Sequence, residues 1–222
     1  MTKIEKNLEF IQKQIENAKL RTNQMQEVKI IAVTKEVDVT RTEEAITAGL
    51  THLGENRPEG LAKKLEAIHS DVEWHYIGSL QTRKVKQVIT QIDYLHSLDR
   101  LSLAEEIEKR ATTIVKCFVQ VNVSGEDSKQ GLTKEQALQF VKQLQSFTKI
   151  EVVGLMTMAP FTEDEQVIRQ VFRELKQLQQ EVVQLRLPNV SCTELSMGMS
   201  NDYEIAVEEG ATFVRIGTAL VG

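Results

Sequence analysis

Cysteine is scarce in this chain of 222 residues: there are two, Cys117 and Cys192, and neither has a CxxC partner. The spacings of zinc sites are therefore absent, and no metal ligand set is expected. Both cysteines lie in apolar, strand-like surroundings, where buried free thiols are expected, as in a reducing compartment. Long hydrophobic runs are missing too. The start, MTKIEKNLEF, has no apolar leader core, and no run approaches membrane-spanning length. A cytoplasmic protein without membrane contact is the expectation. Positive charge is in deficit, with 27 Lys and Arg against 32 Asp and Glu for a net charge of −5. That balance argues against general nucleic-acid binding, which shows as a basic domain. No stretch rich in proline, serine and glycine divides the chain, and proline itself occurs three times. One domain, 1–222, is the reading. No low-complexity tract and no convincing repeat occurs.

What the chain does contain is an alternation. Ile4, Leu8, Ile11 and Ile15 recur on one face of an opening helix. Apolar, β-branched runs follow at about 28–33, 51–54, 73–77, 93–96, 115–122, 150–156, 190–196 and 212–216. Between them lie segments of helical period at 40–48, 57–68, 82–90, 100–110, 133–147, 164–186 and 200–209. In 164–186 the stripe reads Val167, Val171, Leu175, Leu178, Val182 and Leu185. Strand alternating with helix predicts parallel pairing through helical crossovers. Eight such units in this length predict an α/β fold, a single (β/α)8 TIM-type barrel with an additional N-terminal helix. A doubly wound sheet is the competitor, but it calls for a glycine-rich turn after its first strand. Here that turn is TKEVDVTRTEE, and neither GxGxxG nor GxxxxGK[ST] occurs.

Chemistry in such a barrel sits at the C-terminal ends of the strands. Those ends deliver Lys35; Glu55 and Asn56; His75 and Ser79; His96 and Ser97; Asn122 and Ser124; Met156 and Met158; Ser196 and Ser200; and Arg215, Gly217 and Thr218. Polar groups thus converge on one rim above apolar strand bodies. Each has a plainer reading: Asn56 as a helix cap, His75 as a satisfied core histidine, the methionines as packing. The last two ends, SMGMSND and RIGTA, combine glycines, hydroxyls and a helix start at Ser200–Asp202. Glycine allows backbone N–H groups to approach an anion, and helix N-termini favour one. A phosphate is the expected occupant. Lys35, ending the apolar run IIAVT, is expected to be desolvated, which disfavours its ammonium form; Arg215, if close, adds to this. A neutral amine attacks carbonyls. A phosphate-bearing aldehyde held as a Schiff base is the economical ligand, and pyridoxal 5′-phosphate is the common cofactor of that kind.

IIAVTK, GEN, WHYIGSLQ, VNVSGEDSKQGL, GLMTM and LSMGMSNDYEIAVEEGATFVRIGTALVG together resemble the pyridoxal-phosphate homeostasis protein family, single-domain relatives of the alanine racemase barrel. The resemblance runs in order from about residue 28 to 222. It implies Lys35 as the Schiff-base lysine, and Ser200, Gly217 and Thr218 around the phosphate. It implies Arg215 at the pyridine nitrogen, Asn56 near the ring hydroxyl, and Met156 and Ser196 near the cofactor face. It also implies a carrier or buffer of the cofactor in intracellular vitamin B6 homeostasis, with apo forms of pyridoxal-phosphate enzymes as possible recipients. Two departures occur: Arg57-Pro58-Glu59-Gly60 follows GEN, and Arg83-Lys84 follows LQ. Lys84 and Lys86 read as a solvated face or as further phosphate or partner contacts. A racemase is the alternative activity. Its second base would have to come from Tyr76, Tyr94 or Tyr203, since the chain ends four residues after Thr218. A Schiff-base aldolase using Lys35 alone is a third reading. Without a dimerising domain, a monomer is expected.

Overall fold

The computed structural model describes residues 1–126 and 129–222; Asp127 and Ser128, within the motif VNVSGEDSKQGL, lie outside the described residues. The first helix, α1 (Lys3–Thr22), opens on a capping box in which Thr2 and Glu5 satisfy each other's backbone N–H groups. Its buried face is Ile4, Leu8, Ile11, Ile15 and Ala18. Alternation then follows as β1 (Lys29–Val33), α2 (Val39–Thr47), β2 (His52–Glu55), α3 (Pro58–Ala67) and β3 (Glu73–Tyr76). A 3-10 helix (Thr82–Gln87) leads to β4 (Tyr94–Leu98), α4 (Leu101–Arg110), β5 (Val115–Gln120), α5 (Lys134–Leu144) and β6 (Ile150–Met156). Last come α6 (Glu165–Gln184), β7 (Val190–Met199), α7 (Tyr203–Glu208), β8 (Phe213–Ile216) and α8 (Thr218–Val221).

Among the described residues the eight strands pair in parallel in chain order and close into a barrel through β1 and β8. The TIM-type fold expected from the alternation is the one observed. The differences are local. The segment 82–90 winds as a short 3-10 turn around buried Val85. The helix expected from Ser200 begins at Tyr203, after a turn. The short α8 has no counterpart in the sequence reading, because four residues carry no periodicity. Strand β7 runs on to Met199, where its pairing with β8 shifts register between Ser196 and Met199.

Helix α1 does more than precede the barrel: it holds the C-terminus. Lys3 Nζ donates to Gly222 O (2.8 Å) and Asn7 Nδ2 to Leu220 O (3.0 Å). Arg41 from α2 donates to Val221 O (2.9 Å). The carbonyls at the end of α8, which no intrahelical N–H can reach, are thus taken by side chains. Arg21 ties the far end of α1 to Glu204 and Glu208 of α7.

Helix α6 shows where periodicity misplaces a boundary. Its buried face is Ile168, Val171, Phe172, Leu175, Leu178, Gln179 and Val182. Val167, expected in the stripe, is 42% exposed. The apolar face is wider than one strict row and begins one residue later. Replacing fully buried Leu175 by Ala is expected to destabilise the fold by about 2–5 kcal/mol, whereas Val167→Ala stays within about 0.5 kcal/mol. Urea unfolding of the two variants measures the contrast, and equal losses would contradict this packing.

Candidate functional site

The seam between β1 and β8 builds the site. Its register sets Lys29 opposite Phe213, Ile31 opposite Arg215 and Ala32 opposite Ile216. Alternate residues of a strand face one side. On β1 this row is Lys29, Ile31, Val33 and then Lys35; on β8 it is Phe213, Arg215 and then Gly217. The lower members fill the barrel: Ile31 and Phe213 pack with Tyr94, Phe118, Val153 and Met156. The upper members open into a cavity of about 1000 Å³ at the C-terminal ends of the strands. Lys35, Asn56, Met156, Ser200, Arg215, Gly217 and Thr218 all line it. Ser196 alone among the expected residues does not. It is fully buried behind Arg215, whose Nη1 donates to Ser196 Oγ (2.6 Å) while Nη2 donates to Thr157 O (3.0 Å).

Lys35 differs from its sequence-based picture. Strand β1 ends at Val33, Thr34 is buried, and Lys35 stands exposed on the following turn. The apolar run delivers it to the cavity mouth rather than into an apolar wall. Arg215 is the desolvated cation instead. Burial lowers its pKa to about 10, a loss partly opposed by Asp202, so it remains a cation at neutral pH. Asp202 is raised by burial and accepts from the Met199 N–H (2.6 Å), which shapes the turn before α7. That turn needs Gly198, at φ +91°, where a Cβ would lie 2.5 Å from that of Ala206.

Other expected rim residues sit elsewhere. Glu55 is 1% exposed and pairs with Lys64 of α3, itself 4% exposed. Lys64 also donates to Thr34 O (2.5 Å), and Thr34 Oγ1 donates to Glu55 Oε1 (2.6 Å). A buried ammonium and carboxylate thus clamp the residue before Lys35. Gly60 makes room for them, since a Cβ there would meet Glu55 Oε2 at 2.9 Å. Lys64 escaped the sequence reading, although a lysine sharing the apolar face of Leu61 was the available signal. His75 and His96 are fully buried inside the barrel, one layer below the cavity, so the strand bodies are not uniformly apolar as expected. Asn122 and Ser124 bond within their own loop, Asn122 Nδ2 to Glu126 O (2.9 Å) and Ser124 Oγ to Glu126 Oε2 (2.8 Å). Lys84 pairs with Glu59 on the surface (3.2 Å). Cys117 and Cys192 are buried and unpaired, their thiols raised by burial. No described helix is long and apolar enough to cross a membrane.

A closed parallel barrel carrying a lysine after its first strand and an arginine on its last defines a class, and the model of the alanine racemase N-terminal domain matches residues 6–222. Within that class the chain is 42% identical to the pyridoxal phosphate homeostasis protein of Aquifex aeolicus over 219 residues, 97% of this chain and 94% of the relative. It is 34% identical to the protein of that name from Haemophilus influenzae, covering 99% of this chain and 95% of the relative. PipY of Synechococcus elongatus, solved with PLP bound, superposes with a TM-score of 0.84 at 32% identity, covering 99% of this chain and all of that one (100%). The chain belongs to the pyridoxal phosphate homeostasis protein family.

The clamp beneath Lys35 makes a prediction about stability. Lys64→Met leaves the Glu55 carboxylate buried without its partner and is expected to cost about 3–5 kcal/mol. Adding Glu55→Leu removes the stranded charge and should recover much of that loss. Chemical denaturation of the single and double variants decides it; a double variant less stable than the single one overturns the assignment.

Proposed function

We propose that the chain binds pyridoxal 5′-phosphate through a Schiff base on Lys35 and serves as a carrier or buffer of that cofactor. The observation that carries the reading is the convergence of Lys35, Arg215, Gly217 and Thr218 on one cavity across the β1–β8 seam. The donor set fits the group. Lys35 offers an accessible primary amine, which condenses with an aldehyde and releases water. Ser200 and the backbone at Gly217–Thr218, where α8 begins, would hold the phosphate. Arg215 would lie toward the ring nitrogen, Asn56 toward the ring hydroxyl and Met156 against the ring, all three lining the same cavity. Bound pyridoxal phosphate supplies a reactive aldehyde and, where its ring is protonated, an electron sink.

Arg215 works against that sink. A cation beside a basic nitrogen disfavours its protonation, and Ser196 and the Thr157 carbonyl hold the guanidinium in place. The tyrosines point the same way. Tyr76, Tyr94 and Tyr203 are all buried, none lines the cavity, and burial pushes Tyr76 up to about 12. None is placed as the second base that racemisation requires. Reversible capture with little carbanion chemistry is the function these residues support, with the apo forms of pyridoxal-phosphate enzymes as recipients.

Mixing the unloaded protein with pyridoxal 5′-phosphate should produce the absorption band of the linked cofactor and an adduct fixed by borohydride. Lys35→Ala should remove both, and an adduct surviving in that variant would sink the assignment. The carrier role has its own measurement: the loaded protein should activate an apo-enzyme faster than the same concentration of free cofactor. Activation no faster than free cofactor leaves a buffer and rules out a carrier.

A further inference from the structure

Three histidines cross the barrel interior in an unbroken hydrogen-bonded row. His52 Nδ1 lies 3.0 Å from His75 Nε2, His75 Nδ1 lies 2.9 Å from His96 Nε2, and His96 Nδ1 lies 2.9 Å from Ser196 Oγ. Ser196 Oγ in turn accepts from Arg215. The outer end of the row is different. His52 Nδ1 lies 3.1 Å from Glu73 Oε2, and the His52 side chain is 12% exposed. It borders a depression of about 450 Å³ on the N-terminal face, lined also by Glu16, Glu27 and Lys29. The row therefore joins two openings at opposite ends of the barrel.

A neutral imidazole has one N–H and one bare nitrogen. Each ring-to-ring contact here must hold one proton, so the polarity of one contact dictates the next. With His52 neutral and Nδ1 bare, His75 donates from Nε2, His96 donates from Nε2, and Ser196 donates to His96 Nδ1. With His52 cationic, its Nδ1–H turns to Glu73 and faces His75. Two N–H groups cannot face each other at that distance, so His75 shifts its proton to Nδ1 and donates to His96. His96 then donates from Nδ1 to Ser196. The proton count closes. Each shared proton crosses its own contact toward His52, and the one net proton taken up from solvent on the acid side restores the Ser196 hydroxyl beside Arg215. In this state Ser196 accepts from both His96 and Arg215, and its own proton is free of the row.

We propose that His52, His75 and His96 form a proton-linked relay that transmits the protonation of the barrel's N-terminal face to Ser196 and Arg215 at the cavity. His75 and His96 are positioning residues acting through Ser196. The packing suits a relay rather than ring rotation. His75 stacks on Tyr94 with centroids 4.4 Å apart, and His96 stacks on Phe118 at the same 4.4 Å. Clamped rings exchange protons between their nitrogens without turning.

The charges around the row set where it switches. Around His52 stand Glu73 of β3, Lys29 of β1, Glu27 ahead of it, Lys116 of β5 and Glu16 of α1. Burial lowers the His52 pKa below the ordinary imidazole value and Glu73 opposes the drop, so the cation forms on the acid side of that value. His75 faces His52, His96, Tyr94, Lys29 and Lys116, and His96 faces Arg215. Burial holds both well below the ordinary value, so they stay neutral and pass protons without trapping charge.

The test of the relay does not depend on the cofactor reading. The full chain, labelled with ¹⁵N-histidine and free of cofactor, is titrated from roughly pH 8 to 5, the range of histidine titration. Long-range ¹H–¹⁵N spectra report the proton on each ring nitrogen. As His52 titrates, His75 and His96 should exchange Nε2–H for Nδ1–H at the same midpoint. His69, which is exposed and outside the row, provides a separate histidine signal for comparison. Glu73→Gln should shift the common midpoint of all three to lower pH. His52→Phe should leave His75 and His96 in one tautomer throughout. Tautomers that stay constant while His52 titrates, or that still switch in a folded His52→Phe protein, overturn the proposal. If His52→Phe does not fold, Glu73→Gln decides alone: a midpoint that moves for His52 but not for the two inner rings refutes the relay.

Discussion

The register between β1 and β8 is the constraint on which the site depends. A barrel must close somewhere, and here it closes between the first strand and the last. The pairing of Ile31 with Arg215 brings together residues 184 positions apart by number and fixes which side chains share a layer. A slip of one residue would turn Lys35 or Arg215 to the helical shell, because strand side chains alternate faces. The devices around the seam serve this register. Helix α1 and Arg41 hold the carbonyls of α8, directly after β8. The Lys64–Glu55 pair holds Thr34, directly after β1. Both strand exits are fixed from outside the barrel, which leaves their inward side chains open to the cavity.

The interior then combines two kinds of polar group. Lys64 with Glu55 is a buried charge pair, whose desolvation often offsets much of its attraction. Such a pair contributes more to the place of a backbone carbonyl than to net stability. The histidine row is a neutral network, which is far less costly to bury than a charge. Aromatic rings stack on its faces while its nitrogens bond edge to edge. Only its two ends carry charge: Glu73 near solvent and Arg215 at the cavity.

The barrel was legible in the sequence because its signal is repeated eight times and each repetition supports the others. The cavity was legible for the same reason: strand ends are points that a β/α alternation locates well. What escaped were contacts between elements distant in the chain. Lys64 reads as an ordinary helix lysine until α3 is laid on the barrel. His52, His75 and His96 are spaced 23 and 21 residues apart, which no local period reveals. Lys35 misled in the opposite direction. Its apolar neighbours suggested burial, but the strand ends two residues earlier and the turn carries the lysine into the open.

Arg215 is where these systems meet. Its guanidinium borders the cavity, takes its burial from the barrel, and rests on Ser196 and the Thr157 carbonyl. A guanidinium donates only, so each of those acceptors must keep a lone pair toward it. Ser196 has two lone pairs and one proton to divide among Arg215, His96 and the space beside them. The state of His96 therefore decides what Ser196 can offer without loosening Arg215. A lysine, with its freely rotating donors, would not impose this division; the planar fork of arginine does. The residue that faces the cavity is held by a hydroxyl whose remaining freedom is set from inside the barrel, and the seam register places it there.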